Sequence, residues 1–418
     1  MTGKHDELFS VDDARARILH AMAPLGDETA LLTNADGRAL AAELVALRSL
    51  PGVDNSAMDG VGVRVADVAG ATDLQPIALT LVGEALAGGA ANARPLGAGE
   101  AMRVMTGAAI PPGVEAVVMR EHTDERDVAR GVVHIKAPAT LGQHVRRIGE
   151  DVLKGGVVGR AGDLVTPARL NLLLAAGHVS ARVVRRPVVA ILASGDELKD
   201  VGAPLSERDV VNSNAYAIAA AVRAAGGHAH LLGIARDTLA DHVARIREGG
   251  FADVLVTVGG VSMGTHDFVR PALAEVGCAL ELWRVAMRPG KPVAFGRRVD
   301  GRSAQLVFGL PGNPVSAMVS FELFVRPALR KLQGVSPTGW TRPLHRAALA
   351  AATTKKAGLE HWARACVTMT DGALLAALLD AQGSHQISGL ADANALARLP
   401  RESTALAAGD HVEVMLLE

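Results

Sequence analysis

Apolar residues alternate or run in short blocks through most of this chain, and the period of the pattern changes several times. Val11, Ala14, Ile18 and Met22 recur at the spacing of one helical face behind Ser10, a good capping residue, which predicts an amphipathic helix over 10–22. A second helical or extended piece is expected at 37–45. From 61 to 145 the pattern shifts to short strands, at 77–82, 101–105, 116–120 and 131–135, joined by Gly- and Pro-rich turns. A helix that opens near Pro167 and stops at Gly177, then a strand at 179–186, lead onward.

Between 187 and 334 strands and helices alternate. Strands are expected at 188–192, 228–234, 254–258, 293–295 and 305–310, and helices at 213–225, 239–248, 269–276 and 315–332. The run from Val254 to Val258 is short, apolar and dense in β-branched residues, so it reads as a strand covered on both faces. Beyond 335, apolar strands return at 343–348, 362–368, 373–379 and 411–416. The fold class is therefore multidomain α/β plus β, with four parts. A discontinuous helical and extended linker domain takes 1–50 and 146–186, and a small β module takes 51–145. A three-layer α/β/α domain with a mostly parallel sheet takes 187–334, and a C-terminal β-barrel-like domain takes 335–418.

Length and composition fit that division. At 418 residues the chain exceeds what one core organises, and 49% apolar with 21% charged residues is the balance of a folded protein. A net charge of −1 argues against general binding of nucleic acid or membrane surfaces. The first residues lack a signal-peptide core and no long uncharged apolar window occurs, so a cytoplasmic protein is expected. Cys278 and Cys366 stand far apart, in no metal or redox spacing.

Candidate chemistry clusters after the strands of the central domain. Glu197 follows the first and Asp237 the second. The third runs into Gly259-Gly260-Val261-Ser262-Met263-Gly264, a loop whose backbone can approach an anion, closed by Asp267. Arg284, Arg288 and Lys291 put three cations in eight residues, and Gly312-Asn313-Pro314-Val315-Ser316 opens the last helix. Glu197, Asp237 and Asp267 suit magnesium, while the cations and the helix start suit phosphate or another tetrahedral oxyanion. Elsewhere Asp59 ends a polar loop and Thr106 ends a strand; each is either turn chemistry or a ligand contact. Arg364 and Ser384 are polar points on the last module, and on spacing alone a snorkelling arginine and a serine turn account for them about as well as a ligand contact does.

Six motifs in fixed order, Asp54-Asn-Ser-Ala-Met-Asp59-Gly60, Met105-Thr106-Gly107, Ser194-Gly-Asp-Glu197, Gly259-Gly-Val-Ser-Met-Gly264, Arg288-Pro-Gly-Lys291 and Leu310-Pro-Gly-Asn-Pro-Val-Ser316, make the chain resemble the molybdopterin molybdenumtransferases. The resemblance implies an elongated four-domain homodimer, with 1–50 and 146–186 as its dimerisation domain. It implies insertion of molybdate into adenylylated molybdopterin with magnesium-dependent release of AMP. Glu197, Asp237 and Asp267 then fall at metal and phosphate. Arg284, Arg288, Lys291, Ser316, Arg364 and Ser384 fall at phosphate or molybdate, and Asp59 and Thr106 at a cleft shared with the partner subunit. An adenylyltransferase and molybdoenzyme acceptors are the implied protein partners. The chain departs from the family pattern at Val61, Ser194 and Leu359, where Tyr, Thr and Arg are usual. An adenylyltransferase lacks the Asp59–Thr106 module and the terminal barrel. A peptide-gripping scaffold, the other relative considered, has no need of the carboxylates.

Overall fold

The computed structural model describes residues 8–89, 94–260, 268–300 and 303–417. Its central sheet has six strands in the order His228–Ala235, Val188–Ser194, Val254–Val258, Ser303–Leu310, Pro292–Asp300 and Cys278–Arg284. The first four run parallel, Pro292–Asp300 runs against them, and Cys278–Arg284 runs antiparallel to Pro292–Asp300. Every residue of Val254–Val258 is buried, Thr257 included, as expected of a strand covered on both faces. One face packs on helix Ser213–Ala224 and the helical stretch after Pro314, through Ile218, Val222, Val319 and Leu329. The other packs on helices Leu239–Glu248 and Val269–Glu275.

The strand Cys278–Arg284 went unread because its apolar positions alternate over only three residues. The helix expected at 315–332 is one rod with a π turn: Pro314–Ser320, Phe321–Val325 and Arg326–Leu332. Pro327 has no N–H to give to the preceding turn, and the wider turn absorbs that loss. The amphipathic helix is Val11–His20, with Ser10 Oγ accepting from the Asp13 N–H at 3.0 Å. It buries Val11, Ala14 and Ile18 in the central core although its sequence position is far from it.

Segments before and after the β module meet in a third core. Asp27–Leu31 pairs with Ser180–Val184 and Leu44–Val45 with Val157–Gly159, over Leu32, Leu40, Leu173 and Val183. Residues 37–45 form no helix, because Gly37 turns at φ +68° and Ala39 and Leu40 bridge to Leu164 and Val183. The β module is a six-stranded sheet over Val61, Val63, Val118 and Ile135.

In the last region the sheet closes on itself: Glu360–Thr370, Ala373–Leu378, Leu344–Leu349, His411–Leu416 and Ala395–Leu399, which pairs back to the first. Closure leaves no open edge within the ring. Met287–Arg288, from the central region, adds to this barrel in parallel with Glu360–His361. That short pairing fixes where the cations stand.

Candidate functional site

At the carboxyl ends of the parallel strands the chain bends sharply. Gly259 and Gly260 hold φ of +95° and +64°; a Cβ would stand 2.8 Å from the Ser194 carbonyl oxygen and 2.4 Å from a Val269 methyl. No larger residue fits there. Ser262, Gly264 and Asp267 lie outside the described residues. A cleft of about 140 Å³ opens beside this turn, lined by Ser194, Glu197, Leu198, Asn212, Gly259 and Gly312 among others. Glu197 is exposed. Asp196 and Asp237 pin their two loops together: the Asp237 N–H donates to Asp196 Oδ1 at 3.0 Å and the Asp196 N–H to Asp237 Oδ2 at 3.4 Å. No group of three His, Cys, Asp or Glu side chains poised to hold a metal occurs among the described residues. Glu197 and Asp237 are still hard oxygen donors of the kind magnesium uses with waters and substrate phosphates.

Beneath the turn, Ser194 Oγ is 2.9 Å from His242 Nε2, and His242 Nδ1 is 2.9 Å from the Thr238 carbonyl oxygen. A carbonyl only accepts, so Nδ1 carries the hydrogen and the Ser194 hydroxyl donates to Nε2. His242 occupies an apolar-face position of its helix and is fully buried. Sequence reading passed over it for that reason.

A second cleft, of about 250 Å³, is lined by Arg288, Lys291, Ser316, Leu359, Gln382 and Ser384 among others. It lies where Met287–Arg288 meets the barrel. Of the expected oxyanion residues, Arg288, Lys291, Ser316 and Ser384 come together here; Arg284, Asn313 and Arg364 do not line it. Arg364 does not snorkel: it is fully buried, its Nε donates to the Ala381 carbonyl at 2.8 Å, and Nη2 reaches the carbonyls of Ala381 and Gly383, the latter at 3.2 Å. The guanidinium thus holds the loop that carries Ser384. Gln382, missed in the sequence, ties the same loop by donating to the Arg364 and Leu379 carbonyls, both at 2.8 Å. Burial, with Arg288, Lys355 and Arg364 nearby, holds His361 down at about 4.

The two clefts flank one turn. Gly312 and Pro314 line the first and Ser316 the second, and the Val315 N–H donates to the Ser384 carbonyl at 3.2 Å. Asn214 Nδ2 donates to the Gly312 carbonyl at 2.7 Å, fixing the turn from the other side.

Asp59 and Thr106 meet in the β module, 47 positions apart in sequence. Asp59 Oδ1 accepts from the Thr106 hydroxyl and from the Thr106 N–H, both at 2.7 Å. Those bonds, the hydroxyl's first, hold the Asp59 carboxyl below its ordinary range. Among the described residues no hydrogen bond or ion pair joins either side chain to the two clefts.

The chain is similar to known proteins along nearly its whole length. Residues 9–177 match the MoeA N-terminal region (domain I and II), 190–331 a probable molybdopterin binding domain, and 346–417 the MoeA C-terminal region (domain IV). A molybdopterin molybdenumtransferase 2 of Mycobacterium tuberculosis is 39% identical, covering 96% of each chain. A molybdopterin molybdenumtransferase of Haemophilus influenzae is 34% identical, over 97% of this chain and 98% of that one. The crystal structure of a molybdopterin biosynthesis MoeA protein from Pyrococcus horikoshii OT3 superposes with a TM-score of 0.81 at 26% identity, covering 98% of this chain and all of that one. With matches to all three regions and relatives above 30% identity along nearly its whole length, the chain belongs to the MoeA family of molybdopterin molybdenumtransferases.

Proposed function

We propose that this protein inserts molybdate into the dithiolene of adenylylated molybdopterin and releases AMP. The observation that carries the reading is the shared turn at Gly312–Ser316, with a cleft bearing carboxylate and amide groups on one side and a cationic cleft on the other. A nucleotide-linked pterin spans two such clefts, and a tetrahedral oxyanion fits the second. Arg288 and Lys291 attract molybdate and neutralise its charge, while Ser316 and Ser384 supply hydrogen bonds that orient it. Arg364 is assigned to positioning the Ser384 loop. Gly259 and Gly260 let backbone N–H groups approach the phosphoanhydride.

Glu197, Asp237 and Asp267 would hold magnesium, which would supply charge neutralisation at the substrate phosphates. Asp59 and Thr106 reach the cleft from a partner subunit in a homodimer, which accounts for their separation from it within one chain. In the four-domain division at 51, 146, 187 and 335 the β module and the linker have cores of their own, while helix Val11–His20 and Trp362, Leu396 and Met415 of the last region pack into the central core. A cytoplasmic setting follows from the substrates. Exchange with an adenylyltransferase and molybdoenzyme acceptors belongs to the same reading.

AMP release from adenylylated molybdopterin, measured with and without molybdate, tests the proposal. Release that depends on molybdate supports it; release indifferent to molybdate, or none at all, overturns it.

A further inference from the structure

Asn212 stands at the start of helix Ser213–Ala224, where an asparagine ordinarily turns its side chain back to cap the first N–H groups. Here it makes no capping bond. The residue is 3% exposed, lines the first cleft, and its Oδ1 has no hydrogen-bond partner. A buried amide oxygen left unmatched is costly, so a partner from the cleft recovers free energy that the protein alone forfeits. The cleft walls around it are apolar: Leu198, Val210, Val211 and Ile387, with Val210 and Ile387 each about half exposed at 52% and 51%. Exposed aliphatic walls with one unmatched amide suit a flat heterocycle, whose faces cover the walls while its edge meets the amide.

We infer that Asn212 reads the amino-bearing edge of the substrate's heterocycle, with Leu198, Val210 and Ile387 against its ring faces. An amide offers one acceptor and one donor, the complement of an edge that carries an amino group beside a ring nitrogen or carbonyl. Both adenine and pterin present such an edge, so the shared chemistry is an aminated heteroaromatic ring. The inference rests on the functional reading above and adds a specificity-determining residue to it.

The test compares two ligand pairs by equilibrium titration: AMP against IMP, which carries an oxo group in place of the 6-amino group, and pterin against lumazine, which carries one in place of the 2-amino group. Wild type should prefer the amino member of one pair, and that pair identifies the ring. Asn212→Leu should weaken the amino member about tenfold and erase the preference. Val210→Asp, at an exposed position, should weaken both members alike and leave their ratio intact. A merely structural role for Asn212 would lower the melting temperature without moving the ratio. An unchanged ratio in Asn212→Leu, or no amino preference in wild type, overturns the inference while the molybdate-dependent assay still stands. If wild type binds neither pair, a positive molybdate assay rejects only the heterocycle assignment, and a negative one rejects both.

Discussion

The two clefts on either side of the Gly312–Ser316 turn are built from opposite materials. The first is shaped by strand ends of the central sheet, the short Leu198–Lys199 and Val210–Val211 ladder and the helix start at Asn212, and its groups are carboxylate, hydroxyl and amide on apolar walls. The second is assembled at a junction, with Arg288 and Lys291 from the central region and Gln382 and Ser384 from the barrel. A ligand in the first meets the central region almost throughout, with Ile387 the contact from the last region. In the second it needs two regions held in register, which the pairing of Met287–Arg288 with Glu360–His361 and the Val315–Ser384 bond provide. Chemistry at the first should therefore respond to single side chains, and chemistry at the second to anything that loosens the junction.

The contrast can be broken in graded ways. On the proposed function, Glu197→Gln has the largest expected effect, lowering turnover on the order of a hundredfold with the fold unchanged by circular dichroism. Near-wild-type turnover would remove Glu197 from the phosphate end. Arg288→Ala should raise the molybdate concentration for half-maximal activity about tenfold to a hundredfold, with pterin affinity changed far less. Equal losses for both ligands would falsify the division between the clefts.

Arg364→Met leaves the Ala381 and Gly383 carbonyls without their donor and should cost about 3 kcal/mol in denaturant unfolding. A loss below about 1 kcal/mol would show that the Ser384 loop is held by Gln382 alone. A pH-dependent effect of similar size is expected from His361, whose depressed value means that acid favours the unfolded chain. Its contribution is intact above 6.5, is lost as pH falls toward about 4, and is constant below that. His361→Gln should flatten stability across that window by one proton's slope; an unaltered slope contradicts the assignment. The mildest change is Thr106→Val, which should return the Asp59 carboxyl toward its ordinary range by removing its principal hydrogen bond, read by NMR titration.

Periodicity alone carried the central region a long way. The run Val254–Val258, apolar but for Thr257 and dense in β-branched residues, reads as a strand covered on both faces, and the glycines after it are demanded by contacts with Ser194 and Val269. Groups placed just past strand ends, Glu197 and Gly259 among them, were legible because a parallel sheet delivers its loops to one edge. Asn212 was not, since an asparagine before a helix reads as a cap; only the missing capping bond marks it out. Spacing left Arg364 open between a snorkelling side chain and a ligand contact, because its partners are carbonyls 17 and 19 residues away.

What the chain by itself determined is local: the periods of its apolar residues, the sharp glycine turns and the order of the layers, all set by contacts a few residues apart or by the two-faced burial of a strand. The tertiary structure alone decided the meeting of Arg288 with the barrel, the closure of that barrel from Glu360–Thr370 onto Ala395–Leu399, and the burial of the first helix in a distant core. These depend on backbone hydrogen bonds and shape between segments far apart in the chain, and such pairing leaves no period in the sequence to be read.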